Sequence, residues 1–337
     1  MEDGISRVHA ARSITRRTLG MAAAAFAGSG VGAAAQGADP KFIDLRSPTV
    51  DANNLKEVAE GVWVVGDHRI WLVPNIGIIL GDDAALIVDC GLGPANGERV
   101  LDLARRIAGN RRLFLTMTHF HPEHGYGAQV FRPDATIVYN RAQRDELQEK
   151  GVRYIDLFRK TQTPAAAAAL DGTKIVMPHF TYDGPSAELD LGGRKVELRT
   201  WGTAHTRGDQ VVLLPLERIL FAGDLIEERM FPIFPWFPPA DQDIDSSRWL
   251  EILNGLRDFN PAVVVPGHGD MGGVQIALNL ASHIETVGRE VRRLRQAGRT
   301  ADQIIAEYEP TVILGNPEWE HPDLISWEIA YFAAQSA

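Results

Sequence analysis

Short apolar runs alternate with glycine-rich turns along most of the chain. Residues 62–65, 77–80 and 84–89 predict three strands, with Gly81-Asp82-Asp83 turning between the last two. From 97 to 108 the apolar positions fall at 100, 101, 103, 104 and 107, the period of a helix. Residues 113–117 and 136–139 predict further strands, and 141–149 and 152–160 predict helices. Gly192-Gly193 sits between the β-rich runs 187–191 and 196–201 and marks a hairpin. A second hairpin is expected from 211–214 and 219–222. Helix is predicted over 246–259 and strand over 262–265. A long amphipathic helix follows, apolar at 274, 277, 278, 281, 284, 287, 291 and 294. The alanine run 165–169 reads as helix or spacer. Strands in meanders with helices between and after them predict one α/β domain.

The length of 337 residues and 45% hydrophobic content allow one large domain or two small ones. Residues 1–35 carry Arg7, Arg12, Arg16 and Arg17 against Glu2 and Asp3, so without them the net charge moves from −10 to −12. A surface of that sign repels phosphate backbones and disfavours nucleic acid as a partner. The single cysteine, Cys90, excludes an internal disulfide and reads as a small buried residue. No run of 18 or more apolar residues follows the N-terminus, so no spanning helix is expected there. At the N-terminus, Thr15-Arg16-Arg17-Thr18-Leu19 precedes a mildly apolar, Ala/Gly-rich run that ends in Ala33-Ala34-Ala35. Basic start, weakly apolar middle and small-residue end make an export signal. Its paired arginines resemble a twin-arginine signal. The expectation is cleavage near Ala35, passage through the Tat export machinery, and a mature protein in the periplasm or outside the cell. The expected organisation is signal 1–35, a polar arm 36–57 and a domain over 58–337.

The densest chemistry is His119-Phe120-His121-Pro122-Glu123-His124. Imidazole and carboxylate are the groups that borderline divalent metals take. Four of them in six residues overfill one tetrahedral ion if further ligands arrive from elsewhere. Further candidates follow later strands. His205 lies in Gly202-Thr203-Ala204-His205-Thr206, Asp224 follows Gly223, and His268 lies in Pro266-Gly267-His268-Gly269. If those strand ends meet on one edge, they supply five histidines, one glutamate and one aspartate. Glycine or proline beside each ligand permits tight loops.

This set resembles the metallo-β-lactamase superfamily over roughly residues 58–290. The family signature is His-x-His-x-Asp-His, followed by a His, a bridging Asp and a last His. The resemblance implies an α/β fold, a four-layer αββα sandwich. It implies one metal on His119, His121 and His205 and another on Glu123, His124 and His268, with Asp224 and a hydroxide bridging them. Zinc suits the histidine-rich first site. Glu123 replaces the usual Asp, so the second site could prefer iron or manganese, or Glu123 could handle protons. Glu123 and Asp224 are therefore the candidate catalytic residues. Asp89 and Gly91 resemble the family's Asp-x-Gly turn beside the metals. Thr118 and Thr206, with Thr116 and Asp209, are candidate hydrogen-bonding supports for the ligands.

The chemistry implied is metal-dependent hydrolysis of an ester, lactone, thioester or amide of a small molecule. A bridging Asp is kept by thioester hydrolases and lactonases of the superfamily and is generally lacking in its true β-lactamases. β-Lactam hydrolysis is the narrower alternative, and persulfide oxidation at a single iron is a third. Phe231, Phe234, Trp236 and Phe237, spaced by prolines just after Asp224, are expected to wall an apolar substrate pocket. His68, His179, His283 and His321 stand outside the ligand pattern and read as surface or structural residues.

Overall fold

Period-two alternation in the strands has a direct consequence: each apolar strand offers one face to one layer and the other face to another. The computed structural model describes residues 45–237 and 241–335. The expected signal 1–35 and residues 36–44 of the expected arm lie outside the described residues.

Among the described residues two sheets form. The first contains β1 (Leu55–Ala59), β2 (Val62–Val65), β3 (Ile76–Leu80), β4 (Ala84–Val88), β5 (Arg112–Thr116), β6 (Ala135–Asn140) and β7 (Phe180–Tyr182), in that order. β1 to β4 pair antiparallel, and β4 to β7 pair parallel. The second contains β8 (Ser186–Asp190), β9 (Lys195–Arg199), β10 (Val211–Leu214), β11 (Ile219–Glu227) and β12 (Val263–His268). It is antiparallel up to β11, and β11 pairs parallel with β12.

The two sheets face each other. Ala84, Leu86 and Val88 of β4 join Val196, Leu198, Val212, Ile219 and Phe221 in the layer between them. The alternate residues Ala85 and Ile87 point outward and join Val100, Leu103 and Ala104 of α1 (Gly93–Ala108) in the outer core. On the second sheet, Leu220, Ala222 and Val264 point outward to the core that includes α5 (Ser246–Gly255) and α6 (Gln275–Gln296). Helices outside, sheets inside: this is the expected αββα sandwich. The short helix α2 (Pro122–Gly125) carries part of the ligand cluster, and α3 (Arg141–Thr161) follows β6 with α4 (Pro164–Ala169) behind it. Asn140 caps α3 by accepting a 2.8 Å hydrogen bond from Gln143 N, which relieves one unpaired donor of its first turn.

The structure departs from the pattern-based expectations in places. Residues 141–161 form one helix rather than two, because Lys150 and Gly151 face inward and the helix continues through them. The sheet begins at Leu55, inside the expected arm, and Val50 is buried with its N–H donated to Asn96 Oδ1 at 2.9 Å. Two helices that no apolar stripe announces close the chain, α7 (Ala301–Gly315) and α8 (Ile325–Gln335). α7 starts on a reciprocal cap between Thr300 and Gln303. α8 lies on α6, and buried His283 of α6 meets Glu328 of α8 at 3.0 Å.

The close approach of the sheets shows at Gly77, where an added Cβ would sit 2.5 Å from the Phe221 ring. Gly77→Val therefore overpacks the layer between the sheets. Urea unfolding of this variant is expected to show a loss of about 1–3 kcal/mol, with the slope unchanged.

Candidate metal centre

Four loops and strand ends meet at one edge of the two sheets. His119, His121, Glu123 and His124 come from the segment after β5, with Glu123 and His124 held on α2. His205 comes from the loop after β9, and His268 is the last residue of β12. Asp224 corrects the expectation that it follows its strand. It lies within β11, just after the pairing with β12 slips between Phe221 and Gly223. Such an irregularity bends the strand and re-aims a side chain.

The donor atoms form two groups, each within 4.8 Å: His119, His121, His205 and Asp224, and Glu123, His124, His268 and Asp224. Asp224 belongs to both. Its Oδ1 lies 3.2 Å from His124 Nε2 and 3.8 Å from His268 Nε2, and its Oδ2 lies 3.6 Å from His119 Nε2. All seven side chains are buried, and His268 is the most accessible at 5%. Ten of their nitrogen and oxygen atoms make no hydrogen bond, including both carboxylate oxygens of Glu123 and of Asp224. Burying polar atoms unsatisfied costs free energy, and native proteins rarely concentrate them. Imidazole and carboxylate donors converging without partners fit divalent metal ions.

The electrostatics agree. Burial and the neighbouring imidazoles keep His119 and His121 well below their ordinary pKa, so both stay neutral and able to donate a lone pair. Burial opposes the charge on Asp224, but His124, His268 and His119 around it hold its carboxyl well below the usual range. Burial pushes Glu123 up to about 8 in the metal-free protein.

Asp89, expected beside the metals, lies against His124 and Thr118. Its backbone is left-handed, at φ 66°, and turns the carboxylate under the cluster. Its Oδ2 lies 2.9 Å from His124 Nδ1, which leaves Nε2 of that ring facing Asp224. The same carboxylate accepts from Thr118 N at 2.7 Å and Thr118 Oγ1 at 2.9 Å. Thr206 donates from N and Oγ1 to Asp209, whose Oδ1 sits 3.8 Å from His205 Nδ1. Thr116 instead donates to Val138 O, one strand away from the ligands. Cys90 is buried, with its thiol pushed well up by burial.

The apolar segment after Asp224 divides. Trp236 packs edge-on to the His121 ring at 5.1 Å, and Phe237 meets Tyr154 at 5.1 Å. Phe231 and Phe234, expected in the pocket wall, go elsewhere. Phe231 contacts His283 and Trp319, and Phe234 stacks on Trp249 and touches Phe332. Both are fully buried because the proline-spaced segment turns back onto the helices covering the second sheet.

Several site residues carried no sequence signal. Tyr154 stacks on His121 at 5.7 Å, and its hydroxyl donates to Asp241. Lys150 binds Glu146, Asp241 and Asp243 at 2.6–2.9 Å, and Arg207 lies 3.5–3.6 Å from Glu146 and Asp243, so these three carboxylates already have cationic partners. Asn75 donates to Pro266 O and Gly269 O, and Asp67 accepts from Gly269 N, so the β2–β3 loop fixes the backbone around His268. Gly267 is required there, because an added Cβ would overlap Asp224 Oδ1. His321, read as surface or structural, lies with His268 around one small cavity. Apart from Gly267, none of these residues is near its ligand in sequence.

Two outcomes follow for metal binding. Asp89→Ala frees His124 and Thr118, and competition titration is expected to show metal affinity lowered about 10- to 100-fold. Because Glu123 holds a proton below about pH 8 in the metal-free protein, a metal must displace it there. Affinity at the Glu123 site should therefore rise with pH through about 8, and further as His124, held protonated by Asp224 and Asp89 against burial, gives up its proton; a pH-independent titration would contradict the assignment.

A sequence profile described as the metallo-beta-lactamase superfamily matches residues 69–268. The metallo-beta-lactamase type 2 of Bacteroides fragilis is 26% identical over 214 residues, 61% of this chain and 73% of that protein. The crystal structure of the DIM-1 metallo-beta-lactamase superimposes with a TM-score of 0.52 at 19% identity, over 70% of this chain and 97% of that one. A metallo-beta-lactamase from Pontibacter korlensis gives 0.52 at 21% identity, over 68% and 98%. At such identities the structural likeness speaks for the fold, and the profile match carries the family. With its αββα sandwich and its buried donor sets suited to a metal-dependent hydrolase, the chain belongs to the metallo-beta-lactamase superfamily.

Proposed function

We propose that the chain is an exported dinuclear zinc hydrolase that opens an ester, lactone, thioester or amide bond of a partly hydrophobic small molecule. One observation carries the reading: two buried four-residue donor sets share Asp224. Divalent ions bound there supply an activated water at neutral pH and a Lewis acid for the carbonyl. The chain's own part is to hold and orient. Asp224, kept anionic by the imidazoles around it, faces both donor sets at once. Trp236 and Tyr154 cover His121 and keep water off that ring. Glu123 has a side chain longer than the usual aspartate by roughly 1.5 Å. Its carboxylate comes within 4.8 Å of the donor atoms of His124, His268 and Asp224, from a position in the first turn of α2.

The bridging aspartate favours acyl substrates such as lactones and thioesters. The Bacteroides fragilis relative, named a metallo-beta-lactamase, supports β-lactam hydrolysis as a second reading. The twin-arginine-like N-terminus supports export through the Tat machinery to the periplasm or beyond, which would bring either substrate class within reach.

Metal analysis of the purified protein followed by a hydrolysis panel tests the proposal. The expected result is two zinc ions per chain, turnover of aryl esters or lactones, loss of turnover on chelation, and none on a chromogenic cephem. Cephem turnover would move the assignment to the second reading. One iron per chain with sulfur-dependent oxygen uptake would overturn both.

A further inference from the structure

The metal centre is closed by a part of the chain beyond the segment that matches the family. The cavity that reaches His268 has a volume of about 10 Å³, and Trp71, Met230, Glu320 and His321 stand around it. That is room for about one water. Next to it, sharing Asp67, Arg69 and Gly269, lies a second cavity of about 430 Å³. Its size suits a small molecule, yet none of the seven ligands lines it. Lys56, His68, Asn75 and Asp270 make its wall largely polar.

The closing segment runs from α7 to α8, residues 316–324, and is fastened at five points, one of them the pair of Glu318 with Arg229 at 3.8 Å. Glu320 O accepts from Phe231 N at 3.1 Å, and Glu320 N donates to Arg229 O at 2.9 Å, a single strand-like bridge to the segment after β11. The Glu320 carboxylate reaches Arg69 at 3.4 Å, while Arg69 also holds Glu228 and Asp270. Trp319 packs on Phe231 and His283. His321, with a left-handed backbone at φ 56°, lays its ring on Trp71 at 4.2 Å. Trp71 continues to Trp236 at 5.7 Å, and Trp236 to the ligand His121 at 5.1 Å. A chain of ring contacts thus connects the closing segment to the metal centre.

We propose that residues 316–324 form a strap that gates the metal centre, and that Trp71, Glu320 and His321 select what passes. With the strap closed, the 10 Å³ space admits water but no acyl substrate. When Glu320 and His321 leave Arg69 and Trp71, that space opens into the 430 Å³ cavity and a small molecule reaches His268. Its ion pairs, Arg69–Glu320 and Arg229–Glu318, are partly exposed, which places the strap among elements that open locally without global unfolding. The gating needs only a bound metal; the selection of substrate rests on the hydrolase reading.

The test is a reversible lock. Met230 and Glu320 face each other across the bridge, so the double variant Met230→Cys, Glu320→Cys can be oxidised to tie the strap down. Zinc-loaded protein is mixed with excess dipicolinate and the rate of metal loss is followed, beside turnover of the best substrate of the hydrolysis panel. The oxidised lock should lose metal and turn over at least about tenfold more slowly than the same protein reduced with a phosphine, since opening then requires a bond to break. Glu320→Ala, which removes the pair with Arg69, should speed metal loss about three- to fivefold. It should also raise kcat/KM for bulky acyl groups relative to acetyl. Equal metal loss from the oxidised and reduced lock would overturn the strap. Absence of turnover in the wild-type protein would overturn the hydrolase reading alone, because metal loss still reports on the gate.

Discussion

Ten nitrogen and oxygen atoms among seven converging side chains, buried without a hydrogen bond, are the constraint on which the rest of this structure depends. Each would gain by reaching water, and none can. A fold that holds them together must fix their positions from outside, because without a metal the side chains have little reason to converge. The two sheets supply that rigidity. Their shared apolar layer fixes where β11 and β12 end, and the outer helices fix the loops that follow β5 and β9. A bound cation then satisfies atoms that the folded chain has already brought together, so metal affinity and fold stability are linked.

Local devices turn that rigidity into ligand geometry. Left-handed Asp89 places one carboxylate under both Thr118 and His124 and so selects which nitrogen of His124 faces the cluster. The slip in pairing between β11 and β12 turns Asp224 inward, and Gly267 leaves room for it. Asn75 and Asp67 tie down the backbone on both sides of His268. The metal-free charge balance has the same origin. Imidazoles on one side keep Asp224 ionised, while burial keeps Glu123 protonated near neutrality. Two carboxylates a few ångströms apart thereby take different states, as groups held in one low-dielectric site do.

Closure of the site is a matter of a different region. α7, α8 and the segment between them lie beyond the family match, yet that segment reaches back to β11 and the β2–β3 loop. A catalytic edge shared with the superfamily is here roofed by residues of the chain's own C-terminal part. Shared ligands therefore leave substrate choice open, which is set by what borders the mouth.

The sequence by itself singled out the seven residues that gather at one edge of the sheets, because histidines and carboxylates beside strand ends and glycines have few other uses in such number. Its apolar pattern alone predicted one α/β domain; the αββα sandwich was what the resemblance to the superfamily implied, and the two facing sheets with helices outside show it. Strand ends were readable where a short apolar run stops at glycine, proline or a polar residue, as at β2 between Gly61 and Gly66 and β10 between Gln210 and Pro215. Where burial on all sides erased the period, as in β11, the strand ran past its apparent end and carried Asp224 with it. Only the tertiary structure decided which of the four aromatic residues after Asp224 touch the site. It alone brought Tyr154, Asn75 and His321 to the ligands. Contacts between residues tens to hundreds of positions apart leave no local pattern in the chain, and a histidine that stacks on a distant tryptophan reads in sequence like any surface histidine.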